Sequence, residues 1–86
     1  MSRYEVRIKR SALKALARLP KADVKRVRAA IYGLADDPRP RGCRKLEGYV
    51  DLWRVRVGRY RVIYAVEDGA LTVAVLEVGH RRDVYR

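Results

Sequence analysis

Four arginines crowd the stretch Trp53-Arg54-Val55-Arg56-Val57-Gly58-Arg59-Tyr60-Arg61-Val62-Ile63-Tyr64. A guanidinium stays charged and grips phosphate through two hydrogen bonds at once. Apolar and charged residues alternate on both sides of Gly58, as in two strands joined by a turn. If Gly58-Arg59 is a two-residue turn, Val57 pairs with Tyr60 and Arg56 stands opposite Arg61. Arg54 then lies opposite Ile63 and diagonal to Arg61. Like charges facing each other across strands destabilise the pair. A bound polyanion is the natural offset, so Arg54, Arg56, Arg59 and Arg61 are candidate phosphate ligands. A second charged group, His80-Arg81-Arg82-Asp83-Val84-Tyr85-Arg86, follows the last strand-like segment. His80 is the only histidine. Its ordinary pKa suits proton transfer near neutral pH, although packing at a strand end is the simpler use for it. A tyrosine among cations, such as Tyr85, is expected to ionise more easily and so to act as a better base.

These groups need a scaffold. Tyr4 to Lys9 alternates with period two and predicts a first strand, with Tyr4, Val6 and Ile8 facing inward. Ser11 is a candidate cap for a helix whose apolar stripe is Ala12, Leu13, Leu16, Ala17 and Leu19. Pro20 ends that helix and opens a second one over 21–35, with Val24, Val27, Ile31 and Leu34 inward. Asp37 to Gly42 reads as a loop. Three strands follow: Leu52 to Val57, Arg59 to Val66, and Ala70 to Val78. Asp68-Gly69 is a two-residue hairpin signal, and it places Arg61 opposite Leu76. In that register Arg54, Arg56 and Arg61 stand over an apolar floor of Leu52, Ile63, Ala65, Ala74 and Leu76. Glu77 falls on the opposite face with Trp53, Val55, Val62, Tyr64, Leu71, Val73 and Val75, the face that packs against the helices. The predicted fold class is α+β: an N-terminal strand, a helical hairpin, then three antiparallel strands in a small sheet with the helices on one face.

The whole chain, 86 residues, suits one small domain over 1–86. Such a core is modest. One cysteine, Cys43, permits no internal disulfide, and Cys43 with His80 cannot build a four-ligand zinc site. No metal and no cofactor are expected. The net charge of +11 points to nucleic acid, an anionic surface or an acidic protein. A GC-rich genome or a hot habitat would also raise the arginine count, but neither explains its placement. No apolar run is long enough to span a membrane, and no signal-peptide core is seen. The sequence therefore reads as cytoplasmic, with no membrane partner.

The run Leu46-Glu47-Gly48, the segment from Trp53 to Tyr64, and the close Val78-Gly79-His80-Arg81-Arg82-Asp83-Val84-Tyr85-Arg86 together resemble the RelE/ParE superfamily of toxins from type II toxin–antitoxin modules. The resemblance covers essentially the whole chain and is stronger to the RelE branch. It implies a RelE-like fold, similar to microbial ribonucleases. It also implies an mRNA endoribonuclease acting in the ribosomal A site, with the ribosome, mRNA and a cognate antitoxin as partners. Carried over to this chain, Arg61 would stabilise charge on the scissile phosphate and Arg81 would help protonate the leaving oxygen. Tyr85 would help activate the 2′-hydroxyl. Arg54 and Arg56 match two basic residues, commonly lysines, and an arginine cannot serve as the base that a lysine can. Arg54, Arg56, Arg59, His80 and Arg82 are the expected RNA-binding set. The competing readings are a ParE-like gyrase inhibitor on the same fold and a non-catalytic nucleic-acid-binding module.

Overall fold

The computed structural model describes residues 3–80. Its elements run β1 (Glu5–Ile8), α1 (Arg10–Ala17), α2 (Lys21–Gly33), β2 (Arg44–Lys45), β3 (Leu52–Val57), β4 (Tyr60–Glu67) and β5 (Thr72–His80). The α+β class stands, but the sheet has five strands in the order β1-β5-β4-β3-β2. The three antiparallel strands of the sequence reading are its centre. β1 adds to one edge, parallel to β5, and the two-residue β2 adds antiparallel to the other.

The two helices lie on one face. Ala12 and Leu16 of α1, with Val27 and Ile31 of α2 and Leu34 beyond it, pack against Val55, Val57, Val62, Tyr64, Val66, Val73, Val75 and Val78. Val6 and Ile8 of β1, with Tyr4 just before it, pack against this core. Pro20 links the helices: its carbonyl accepts from Asp23 and Val24 N–H, both at 2.9 Å. A proline there loses no donor that the helix would have used. Two local expectations need correction. Helix α1 starts two residues early, with Lys9 at its N-cap and no side-chain cap, so Ser11 sits inside it. Its buried stripe is also narrower, because Leu13 is 51 % exposed.

The β3–β4 register is the expected one, with Arg56 opposite Arg61 and Arg54 opposite Ile63. The β4–β5 register is not. Asp68 to Leu71 forms a four-residue loop, closed by Leu71 N–H donating to the Asp68 carbonyl at 3.2 Å, with Leu71 at a φ of 49°. Leu71 is consequently exposed and not part of the core. Further along, a bulge between Ile63 and Tyr64 sets Tyr64 opposite Val75 but Ile63 opposite Glu77. Leu76 is the extra residue. An extra residue reverses the side to which every later one points. Arg61 therefore faces Gly79, not Leu76. Val78 turns to the helices, and Glu77 turns to the arginine face instead of the core face.

Candidate nucleic-acid interface

Arg54, Arg56 and Arg61 share the sheet face away from the helices. Arg56 and Arg61 are direct cross-strand partners, and β2 adds Arg44 opposite Arg54. The pleat makes this grouping unavoidable once Val55, Val57 and Val62 are committed to the core. Arg59 sits in the exposed turn between β3 and β4. Arg61 Nε and Nη1 are shielded from solvent.

Arg54 is the least expected of these. It is only 9 % exposed, yet it makes no hydrogen bond or ion pair among the described residues. Its side chain stands between two cavities. The larger holds about 750 Å³ and is lined by Lys9, Arg44, Lys45, Glu47, Tyr49 and Glu77 around Leu52, Arg54, Ile63 and Leu76. The smaller, about 390 Å³, is lined by Arg41, Gly42, Arg44, Arg54, Val55 and Arg56. A buried cation without a counter-charge is costly. An anion seated in either cavity removes that cost.

Other cations are placed for structure. Arg39 donates to both oxygens of Asp68, at 3.1 and 2.8 Å, and lies 5.1 Å from the Trp53 ring centre. Tyr4 hydroxyl donates to Asp68 at 2.7 Å. The Arg39 bonds first, then the Tyr4 bond, hold the Asp68 carboxyl down to about 2. At the far end of the sheet, Tyr60 hydroxyl donates to Asp23 at 3.1 Å. Burial, then Asp23, raises the Tyr60 pKa. Tyr64 is fully buried, donates to the Pro38 carbonyl at 2.8 Å, and is pushed well up by burial first and by Cys43 next. Neither phenol is therefore suited to act as a base at neutral pH.

His80 stands opposite Tyr60, with the rings edge to face at 6.0 Å. Pairing with Tyr60 sets it on the same side of the sheet as Val62 and Val78, not on the arginine side. Arg81, Arg82 and Tyr85 lie outside the described residues. Among the described residues no three His, Cys, Asp or Glu side chains gather, and no helix is long and apolar enough to cross a membrane.

Lys9, Arg44, Lys45, Glu47, Tyr49 and Glu77 were not among the site residues expected from the sequence. The run Leu46-Glu47-Gly48 was a signal for part of this wall. Glu77 was hidden by the bulge, and β2 is too short to announce itself.

A family model described as ParE toxin of type II toxin-antitoxin system, parDE, matches residues 6–85. The toxin RelG of Mycobacterium tuberculosis is 32 % identical over 96 % of this chain and 97 % of its own length. Among solved structures, the archaeal RelE–RelB complex from Pyrococcus horikoshii OT3 matches with a TM-score of 0.84 at 37 % identity, over 95 % of this chain and 99 % of that one. The RelBE2 toxin–antitoxin complex of Mycobacterium tuberculosis matches with a TM-score of 0.79 at 30 % identity, over 91 % of this chain and 98 % of that one.

Proposed function

The chain belongs to the RelE/ParE superfamily of toxins of type II toxin–antitoxin systems, and from that premise we propose that it is a ribosome-dependent mRNA endoribonuclease. The observation that carries the reading is the buried Arg54 guanidinium, without an ion pair among the described residues, on the same sheet face as Arg56 and Arg61. That is a cradle for a phosphodiester backbone. The reaction is attack by a ribose 2′-oxygen on the adjacent phosphorus. A bond forms from the 2′-oxygen to phosphorus and the bond to the 5′-oxygen breaks, leaving a 2′,3′-cyclic phosphate and a 5′-hydroxyl. Arg61 offsets charge on the phosphoryl oxygens as it develops. Tyr85 takes the 2′-hydroxyl proton, and Arg81 helps protonate the leaving oxygen by orienting a water that gives up the proton, without losing its own. Arg54 and Arg56 bind and do not exchange protons. Arg59 extends the RNA contact toward the turn, and Arg82 adds charge after β5; His80, expected from the sequence to join them, stands on the helix side of the sheet beside Tyr60. No metal or cofactor takes part. With so weak an acid–base set, orientation by the ribosome supplies much of the rate.

A cognate antitoxin is the protein partner, in line with the toxin–antitoxin complexes among the structural matches. Its contacting segment is acidic and covers the arginine face or wraps the helices. Its binding also stabilises a domain this small. The site of action is the cytoplasm.

Inhibition of DNA gyrase is the second reading, favoured by the description of the matching family model. Primer extension on translated mRNA after induction separates the two. Discrete cuts within codons, lost in Arg61→Ala and Arg81→Ala together with growth arrest, are expected. Intact mRNA with trapped gyrase–DNA complexes, or toxicity undiminished in both variants, would overturn the ribonuclease reading.

A further inference from the structure

The larger cavity beside Arg54 exceeds what a phosphate needs. At about 750 Å³ it falls within the range of small-molecule sites. Its wall is chemically mixed, since Glu47 and Glu77 line it with Lys9, Arg44, Lys45 and Arg54. The ion pairs formed among the described residues, Arg7 with Glu5 and Arg39 with Asp68, include none of these six. Two open carboxylates oppose a bare phosphate. They suit a ligand that carries an anion at one end and N–H donors at the other.

A nucleotide has that pattern, and the rest of the cavity fits its base. Tyr49 lines the cavity while 60 % exposed. An accessible ring in a cationic groove is a stacking platform. Its loop is pinned at both ends. Leu46 N–H donates to the Leu52 carbonyl at 2.9 Å, and Val66 N–H donates to the Asp51 carbonyl at 3.1 Å. Between them Gly48 and Asp51 take φ values of 81° and 66°, which fold the loop tightly. Leu52, Ile63 and Leu76 supply an apolar surface for the base.

We propose that this cavity is a nucleobase subsite selective for guanine, next to the phosphate cradle at Arg54. Tyr49 stacks on the base, Glu77 accepts from its N1–H and N2–H groups, and Arg54 holds the adjoining phosphate. Glu77 is the reader because its backbone is fixed by pairing with Ile63, whereas Glu47 rides on the loop. Guanine alone offers two parallel N–H donors on one edge, matching the two oxygens of a carboxylate. Adenine and cytosine set an acceptor beside their amine, and uracil flanks its single N–H with two carbonyls. A carboxylate repels those acceptors. The assignment rests on the ribonuclease reading for RNA as the ligand.

The test is an NMR titration of the purified chain with GMP, AMP, CMP and UMP, and with inorganic phosphate as a control. GMP is expected to bind about tenfold more tightly than the other three, the scale of one good bidentate base contact. It should move the amide signals of Tyr49, Leu76 and Glu77. Glu77→Gln should level the four nucleotides, and Tyr49→Ala should weaken all of them together. Equal affinities, no binding beyond that of phosphate, or a guanine preference that survives Glu77→Gln would overturn the subsite. This readout involves no cleavage. Intact mRNA after induction defeats the ribonuclease reading alone, and equal nucleotide binding by a chain that cuts mRNA defeats the subsite alone.

Discussion

Arg39 and Arg54 carry the same group into opposite circumstances. Arg39 grips Asp68 through two hydrogen bonds at 3.1 and 2.8 Å and covers Trp53. Arg54 is buried against the sheet and makes no ion pair among the described residues. The first is a finished structural contact and the second awaits an anion. The finished contact has a signature in pH. Asp68 is held down to about 2 from 3.8. A carboxyl with a depressed folded pKa adds stability that is complete above its unfolded value and is lost as pH falls through the folded one. Wild-type urea midpoints should therefore drop between about pH 4 and pH 2. Asp68→Asn should lack that part of the drop. Parallel curves for the two proteins would show that this exposed pair adds nothing.

At the scale of elements, α2 is held by its buried face and α1 less so. Ile31 is fully buried between α2 and the sheet, whereas Leu13 on α1 is 51 % exposed. Ile31→Ala should cost about 2–5 kcal/mol by losing burial and leaving a cavity. Leu13→Ala should stay within about 0.5 kcal/mol, as surface changes do. Chemical denaturation measures both, and similar losses would contradict the packing described. Leu13 also marks a limit of sequence reading, because spacing puts it on the apolar stripe and only the sheet's extent decides what is covered. The β3–β4 hairpin was legible because Gly58-Arg59 makes a two-residue turn and alternation is strict on both sides. The β4–β5 pairing was not. Asp68-Gly69 announces a turn but not its length, which depends on Leu71 accepting a left-handed φ of 49°. The bulge at Leu76 lies inside the apolar run Val73 to Leu76, where alternation has nothing to register. Hence the arginine cluster could be read in advance, while the carboxylate beside it could not.

The whole molecule carries +11, with basic residues on the sheet face and on the outer side of α2. Lys21, Lys25, Arg26 and Arg28 occupy that helix surface, and all four are exposed. Such a surface binds RNA chiefly by releasing counterions. Affinity for a short single-stranded RNA should fall by about 10–100-fold between 50 and 200 mM salt, the slope for roughly two to five neutralised phosphates. Filter binding across that range measures it, and a flat response would contradict an electrostatic interface. The parallel pairing of β1 with β5 acts on the same scale. Residues 5–8 lie beside 72–75, with the Glu5 N–H on the Leu71 carbonyl at 2.8 Å. Strand β1 thus has no neighbour in the sheet until β5 emerges. The sheet closes only once residues 72–75 have been made, so an edge strand encoded early is the last to find its place.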